Sequence, residues 1–201
     1  MGRDAFSRNT LLRKGLVLGG AAAAIGGVAP SALAARSKSA LTVEVAIVGT
    51  TFVVAYAAGA NPDTNDVRGS TFSMEGFLYK EGTIKGNSFN PGQVRPMGLV
   101  VIQGILLATA ARSTPFYSGT MTFLFDNVRF SHLFASASVV AQGIFGSDDD
   151  TQSPLLAVTG GTGRYAGASG ALTLGDLGLN ATDLPGNNGA APNYKAQFAL
   201  S

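Results

Sequence analysis

The chain is 201 residues long, 46% hydrophobic and 13% charged, and it carries a formal net charge of +2. The high apolar fraction and small net charge exclude an intrinsically disordered chain, and the length indicates one domain rather than several. Cysteine is absent, which excludes disulfides, thiolate metal sites, a cysteine nucleophile and a lipid anchor on cysteine.

The first 34 residues are predicted to be an export signal. Basic side chains precede the uncharged apolar stretch Gly15 to Ala34, which ends on Ala-Leu-Ala, an order typical of a cleavable signal. Gly19, Gly20, Gly26, Gly27 and Pro30 within the stretch disfavour a membrane-spanning helix. Residues 7–14 resemble the twin-arginine motif with Asn9 at the second arginine, so the general secretory route stays open. We predict a secreted or periplasmic protein without a membrane span after processing.

Removing residues 1–34 also removes a charge of +3 from the total of +2, which leaves −1 on residues 35–201. The sequence pI near 9.0 therefore comes largely from the signal. A basic surface that would bind nucleic acid is not expected on the remaining domain. We predict no nucleic-acid partner.

The remaining sequence alternates short apolar runs with turn residues, which is typical of β-strands. The segment 97–110 is apolar enough for a helix, but Gly98, Gly104 and the β-branched residues 100–102 favour a strand. Outside the signal, helical periodicity nowhere reaches a dozen residues. The predicted strands, in chain order, are 41–48 continued by 51–57, 71–79, 97–110, 118–125, 128–134, 137–145, 155–158, 170–174 and 194–200. We predict one all-β domain, 35–201, as an antiparallel barrel or sandwich with protected edges.

The most specific stretch is residues 155–172, LLAVTGGTGRYAGASGAL. Its Gly-Thr-Gly, followed by Ala166 and by Asp183 about twenty residues on, imitates a dinucleotide-binding fingerprint. That fold needs a helix after the glycines, whereas here a short turn leads straight into another apolar run. No Gly-Lys-Ser/Thr follows, so a phosphate loop is also excluded. We predict a tight connection in which glycines adopt positive φ and Tyr165 packs back on the barrel.

Residues 157–170, AVTGGTGRYAGASG, resemble the Val-x-Gly-Gly-Thr-Gly-x-Tyr-x-Gly-Ala-x-Gly signature of dirigent proteins and allene oxide cyclases. Residues 77–83, FLYKEGT, and 140–143, VAQG, are similar to two further family motifs, in the right order and spacing. The resemblance covers residues 42–200 and is closest to secreted bacterial proteins with an allene-oxide-cyclase-like barrel. It implies an eight-stranded antiparallel β-barrel with an apolar cavity, commonly a homotrimer, and no cofactor.

The resemblance also implies candidate catalytic residues. Plant cyclases hold the substrate near a glutamate and a strand-borne asparagine, and Glu44 on the first predicted strand is the candidate for the glutamate. The asparagine position is occupied here by Gly76, with Glu75 beside it, which disfavours the jasmonate-type reaction itself. Glu44 and Glu75 are our predicted catalytic acids, because an inward carboxyl would be desolvated and could donate a proton. The alternative is that both face water, as strand glutamates usually do.

Other polar residues have structural explanations. Asp126 and Arg129 flank a predicted turn and are expected to form a solvated pair. His132 is the only histidine, which excludes a multi-histidine metal site. The acidic run 148–150 could attract calcium, but such loops are usually solvated, and we predict no metal. The residues predicted to contact a ligand are Phe72, Met74, Tyr79, Gln103, Phe123 and Gln142.

Three functions follow from these residues and the resemblance. The first is a dirigent-like barrel that binds a small hydrophobic molecule and directs its cyclisation or coupling stereochemistry. The second is a cofactor-free isomerase or cyclase of the allene oxide cyclase type, and the third is a structural envelope protein. A serine hydrolase is disfavoured because no Gly-x-Ser-x-Gly elbow occurs. A barrel interior filled by side chains would weaken both ligand hypotheses.

Overall fold

A computed structural model describes residues 39–61, 66–87, 89–107, 117–126, 136–145, 155–182 and 190–201. All of them belong to one compact unit. The strands in these residues are β1 (Ser39–Ala55), β2 (Thr71–Lys80), β3 (Gly98–Leu106), β4 (Tyr117–Phe125), β5 (Ala137–Phe145), β6 (Leu155–Thr162), β7 (Gly170–Asn180) and β8 (Ala191–Leu200). The predicted strand 128–134 and residues 1–38 lie outside the described residues. No described residue belongs to a helix long and apolar enough to cross a bilayer.

The described strands form a closed antiparallel barrel in chain order, with β8 pairing back to β1. The predicted fold class is therefore confirmed. The two runs predicted at 41–48 and 51–57 are one strand, whose pairing with β2 shifts between Val48 and Val53. Thr51 stabilises this bulge, because its Oγ1 donates to the Val48 carbonyl at 2.7 Å and accepts from the Glu75 amide at 2.8 Å. The bulge bends β1 so that it can follow the curved wall.

Strand alternation separates two faces of the barrel wall. On β1, Val43, Val45 and Ile47 belong to the buried interior cluster, which also contains Leu78 of β2. Their neighbours Glu44 and Ala46 point outward, and Ala46 belongs to a separate buried cluster outside the barrel. Side chains along a strand point to opposite faces in turn, so the paired register assigns every other strand residue to one face.

The middle of the barrel is filled by side chains. Phe123 on β4 and Phe198 on β8, which stand on opposite sides of the eight-stranded wall, have ring centroids 4.9 Å apart. Met121, Leu156 and Leu172 around them are each no more than 1% exposed. Contact between rings from opposite strands leaves no open channel at this level, as is usual for small barrels.

Three inward-facing glycines lie side by side across neighbouring strands. Gly104 of β3 pairs with Gly119 of β4, which pairs with Gly143 of β5. A methyl group at Gly104 would lie 2.8 Å from the Phe72 ring and 2.9 Å from the Gly119 Cα. Glycine therefore lets the wall bend and pack directly against Phe72 at this point.

The connection between β2 and β3, residues 81–87 and 89–97, lies against the outside of the barrel and is called the strap below. Its Ile84 and Phe89 form the outer buried cluster with Ala46 and Tyr79. The Tyr79 and Phe89 rings meet edge to face with centroids 5.1 Å apart. Both faces of β1 and β2 are thus buried at this level, which explains why polar residues there need internal partners.

The glycine-rich connection after β6 is a single 3-10 turn, Gly163–Tyr165. Gly163 and Gly167 adopt positive φ, at 58° and 72°, as glycine readily does. Tyr165 packs against the interior cluster, with its ring 5.0 Å from that of Phe125. A turn in place of a helix confirms that the motif is a tight connection rather than a dinucleotide-binding loop.

Candidate functional site

One end of the barrel carries inward-facing aromatic side chains that are only partly covered. This mouth is formed by Phe52, Val54, Phe72, Tyr117 and Tyr194, all of which belong to or pack against the interior cluster. The Phe72 ring meets the Tyr117 ring edge to face at 4.8 Å and the Phe52 ring at 6.2 Å. A half-open aromatic surface of this kind suits a planar apolar molecule.

The opposite end of the barrel is covered. Tyr165 closes over Phe125, and the Arg164 guanidinium carbon lies 5.1 Å above the Tyr165 ring and 5.6 Å above the Phe125 ring. Arg164 also reaches an Asp126 carboxylate oxygen at 3.5 Å. These contacts hold the turn against the barrel end, so the mouth is the partly open end.

Two tyrosine hydroxyls give the mouth its polar character. Burial raises the pKa of Tyr117. Burial also raises the pKa of Tyr194, and repulsion from the Tyr117 phenolate, once that group ionises, and from the Asp176 carboxylate raises it further. Both phenols therefore stay protonated at neutral pH, and the Tyr194 hydroxyl can donate a hydrogen bond to a ligand oxygen or nitrogen.

Asp176 supplies a carboxylate at the rim of the mouth. It pairs with Tyr194 in the β7–β8 ladder, on the strand face that points inward. The side chain is exposed, and its Oδ1 accepts a hydrogen bond from the Gly178 amide at 2.8 Å. The β7–β8 register shifts between Asp176 and Leu179. This bulge in β7 follows Asp176 directly and fixes the position of its carboxylate.

The two tyrosines at the mouth predict a loss of stability at high pH. Their pKa values are raised in the folded state, so above pH about 10 the unfolded chain releases protons that the folded chain retains. The free energy of unfolding should therefore fall as the pH rises above about 10. Tyr117→Phe and Tyr194→Phe should each flatten this fall in urea unfolding measured at a series of pH values. An unchanged slope in both variants would contradict the prediction.

The structure divides the predicted ligand-contacting residues between the two faces. Phe72, Met74 and Phe123 belong to the interior cluster, and Phe72 lines the mouth. Tyr79 belongs to the outer cluster under the strap. Gln103 and Gln142 are exposed on the outer wall. The six residues are therefore not brought together, and their role as one ligand site stays a prediction.

The predicted catalytic glutamates both lie on the outer face. Glu44 is only 4% exposed, and its two carboxylate oxygens accept hydrogen bonds from the Gly82 and Ile84 amides of the strap, each at 2.7 Å. Glu75 is exposed on β2. The geometry places neither carboxylate inside the barrel, and the catalytic role predicted for them stays a prediction.

The other candidate polar residues lie apart from the mouth. Asp126 is at the covered end, where it contacts Ser136 and Arg164. Arg129, His132 and the acidic run 148–150 lie outside the described residues. Within the described ranges, no three acidic or histidine side chains cluster as metal ligands.

Sequence reasoning missed Tyr117, Tyr194 and Asp176. Tyr194 is the first residue of the predicted strand 194–200. It lies two residues before Ala196, which is buried, so its inward position could have been predicted from the alternation of the strand. Tyr117 stands one residue before the predicted strand 118–125, and Asp176 follows the predicted strand 170–174. The positions of Tyr117 and Asp176 could not be predicted, because the strands extend beyond the apolar runs from which they were predicted.

A second concave feature lies on the outside of the barrel. It is a groove of about 510 Å³ on β1 to β4, and most of its lining residues are exposed or half-exposed, among them Val53, Gln103 and Ile105. The strands β3 and β4, which border the groove, and the next two strands, β5 and β6, contain no charged residue in their sequences. The outward face of these four strands is called the uncharged wall below.

Comparison with known proteins agrees with the fold. The chain matches no protein-family model and no curated protein. The solved structures of the pterocarpan synthase dirigent proteins GePTS1 and PsPTS1 are similar to it, with TM-scores of 0.54 and 0.55 and 14% identity in each case. The matches cover 89% and 82% of this chain and 98% and 95% of theirs. A pyocyanin demethylase structure matches with a TM-score of 0.49 and 16% identity, over 81% of this chain and 100% of its own.

The likenesses to the two dirigent proteins, with the closed barrel, define the class of fold. The chain has the dirigent-like eight-stranded barrel. The identity is low, and a fold of this kind does not by itself specify an activity. The function must therefore be argued from the mouth and the uncharged wall.

Proposed function

We propose that this chain is an exported dirigent-like barrel that binds a small hydrophobic molecule at its mouth. The observation that carries the proposal is the group of partly covered aromatic side chains, Phe52, Tyr117 and Tyr194, which face inward around Phe72. Apolar aromatic walls with a few polar groups are typical of small-molecule sites. The export part rests on the signal-like residues 1–34.

The filled middle of the barrel limits where the ligand can bind. Because Phe123 and Phe198 touch across the barrel, a molecule cannot be enclosed at that level without moving buried side chains. The proposed ligand therefore rests against the Phe72 ring and remains partly open to solvent. Such a site can hold a flexible molecule in one geometry and so direct a ring closure or coupling.

Ligand binding is tested with a neutral aromatic probe, naphthyl methyl ketone. Phe52→Ala should weaken binding of the ketone about tenfold, which corresponds to about 1.4 kcal/mol, because one wall of the mouth is lost. The control is Leu155→Ala, which removes an apolar side chain that is 70% exposed on the outer wall. Binding is measured by isothermal calorimetry.

Two results would overturn the binding proposal. One is an equal loss of ketone affinity in Phe52→Ala and Leu155→Ala. The other is the combination of no ketone binding and no small molecule seen by native mass spectrometry of protein purified from its own host. A copurified apolar molecule that is lost in Phe52→Ala would support the proposal and identify the ligand class.

A cofactor-free isomerase or cyclase is the second candidate function. It is favoured by the pairing of Asp176 with Tyr194 on the inward face, since a protonated phenol and a carboxylate can act as general acid and base. If the protein isomerises its ligand, the Tyr194→Phe variant should still bind the ligand but should no longer turn it over. Equal turnover in Tyr194→Phe and the unaltered chain would leave binding as the function.

We also propose that copies of the chain associate through the uncharged wall, as the homotrimer that the family resemblance implies. Ile105, Ile144 and Leu155 are 47%, 58% and 70% exposed there. Ile105 pairs with Ser118, which pairs with Ile144, so Ile105 and Ile144 lie in one row across the wall. Two such surfaces can meet without opposing like charges, and exposed aliphatic patches mark interfaces.

The association proposal is tested by introducing positive charges on the uncharged wall. Lysine at both Ile144 and Leu155 should convert the oligomer to single chains, because an interface buries unpaired charges at high cost. The control is Gln197→Lys, an exposed position on β8 outside the wall. Light scattering after size exclusion measures the mass. A single-chain mass for the unaltered protein, or equal dissociation in the control, would overturn the association proposal.

A further inference from the structure

We propose that the groove on the outside of β1 to β4 is a second binding site, which takes a neutral carbohydrate chain. Its volume of about 510 Å³ lies within the range of roughly 300–1,000 Å³ that is usual for small-molecule sites. None of its eleven lining residues is charged, and all of them lie on the four strands rather than in the connections. The inference goes beyond the binding proposed at the mouth and does not depend on it.

Five of the lining side chains carry uncharged hydrogen-bonding groups. Ser73 of β2, Gln103 of β3 and Thr120 of β4 are register partners and form one row across the groove. Thr71 and Ser118 belong to the neighbouring row. Four of these side chains are exposed and that of Thr120 is partly exposed. Their hydroxyl and amide groups are therefore accessible to a ligand as both donors and acceptors.

Aliphatic side chains stand beside the polar rows. Val53 on β1 and Ile105 on β3 line the groove and are 60% and 47% exposed. Between the outward side chains, the floor includes the partly exposed backbone of Gly104 and Gly119, which pair with each other. The groove thus combines hydrogen-bonding groups with an apolar surface. A carbohydrate has the same combination, since each sugar ring carries hydroxyl groups at its edge and C–H groups on its faces.

The lining disfavours other classes of ligand. A charged ligand would lose hydration and meet no opposite charge among the lining residues. A wholly apolar ligand would cover Gln103 and Thr120 without supplying partners, which costs binding free energy. A neutral polyhydroxylated chain avoids both costs. Because most of the lining residues are exposed, the groove is open along its length and suits a segment of a chain rather than an enclosed molecule.

The groove overlaps the uncharged wall only on β3 and β4. The exposed side chains Ile144 and Leu155, which the association proposal uses, lie on β5 and β6. The groove extends in the opposite direction, to Val53 and Ala55 of β1. Its β1 and β2 side is therefore outside the surface proposed for contact between copies.

The first test is a microarray of neutral and acidic glycans probed with the full chain. Binding to neutral glycans is expected, with weaker binding to glycans of similar length that contain uronic acids. Binding to no neutral glycan, or equal binding to the two classes, would overturn the carbohydrate proposal. Contact with a second copy would then be the use of the groove.

The second test measures affinity by isothermal calorimetry with the neutral oligosaccharide that gives the strongest array signal. The monosaccharide from which it is built should bind at least about tenfold more weakly, because it leaves most of the polar row without a partner. Equal affinity of the monosaccharide and the oligosaccharide would overturn the assignment of a chain as the ligand.

Two substitutions identify the groove as the site. Thr120→Val removes a hydroxyl and keeps the shape of the side chain, and Gln103→Ala removes an amide. Each should weaken binding of the same oligosaccharide by about threefold or more. Gln197→Ala is the matched control, because Gln197 is exposed on β8 and does not line the groove. It should leave the affinity within about twofold of the unaltered chain.

The outcomes separate this inference from the binding proposed at the mouth. Unchanged or tighter oligosaccharide binding in both Thr120→Val and Gln103→Ala would overturn the groove as the site. Phe52→Ala, which alters the mouth, should leave oligosaccharide binding within about twofold. A loss of oligosaccharide binding in Phe52→Ala alone would place the carbohydrate at the mouth and overturn the inference. Ketone binding is measured separately, so the mouth proposal stands or falls on that result.

Discussion

Gly119→Ala is expected to lower the free energy of unfolding by roughly 3 kcal/mol. A methyl group at this position would overlap the Gln103 carbonyl oxygen and lie 3.0 Å from the Gly104 Cα. Both neighbours are backbone atoms of the adjacent strand, so no side chain can move aside. The strands would have to separate where the wall bends around Phe72. Urea unfolding followed by circular dichroism measures the loss, with a melting temperature lower by roughly 10 °C.

The matched control is Gly160→Ala on β6. A methyl group there meets nothing within 4 Å, and Gly160 is not among the glycines with positive φ. This variant should change stability by less than about 1 kcal/mol, in either direction. Similar losses in the two variants would show that glycine flexibility, rather than the close approach of β3 and β4, matters at Gly119.

Glu44→Ala is expected to cost about 3 kcal/mol of stability. Its carboxylate accepts hydrogen bonds from the Gly82 and Ile84 amides under the strap, and hydrogen bonds to a charged group are stronger than neutral ones. Removing the carboxylate leaves both amides without this partner in a largely buried position. Hydrogen exchange at these two amides should accelerate together with the loss measured in urea unfolding.

Glu75→Ala is the control for this prediction, since it removes an exposed glutamate from the same outer face. It should change stability by less than about 0.5 kcal/mol. Glu44→Gln should fall between the two, because an amide keeps one acceptor oxygen and places a donor opposite the second backbone amide. Unchanged exchange at Gly82 and Ile84 in Glu44→Ala would show that the strap is held by other contacts.

The amino-acid sequence predicted the fold well because its signals are local. Alternating apolar residues and turn residues located the strands, and the glycine-rich segment 157–170 led to the dirigent-like barrel. Strand ends were less accurate: β7 continues to Asn180, well past the predicted 170–174. In a closed barrel, the backbone hydrogen bonds between strands continue past the apolar run. At the strand ends the side chains are not buried, so they need not be hydrophobic.

The face on which each candidate site residue lies was harder to predict, because two faces of one strand can both be buried. Glu44 and Tyr79 were expected inside the barrel as residues on apolar strands. They are buried instead beneath the strap, on the outer face. Gln103 and Gln142 were predicted to contact a ligand, and they face solvent. Alternation gives two sets of residues on a strand, but it does not say which set faces the barrel axis when a connection covers the outside.

The sequence by itself determined the β-class of this protein, the absence of disulfides, the signal-like character of residues 1–34 and the tight turn around Tyr165. These follow from composition, period and glycine placement, which act over short stretches of chain. Only the tertiary structure decided which carboxylate stands at the mouth. Asp176 faces inward and Glu44 outward because strand register, the bulges in β1 and β7 and the folding of the strap over β1 and β2 depend on contacts between segments distant in sequence.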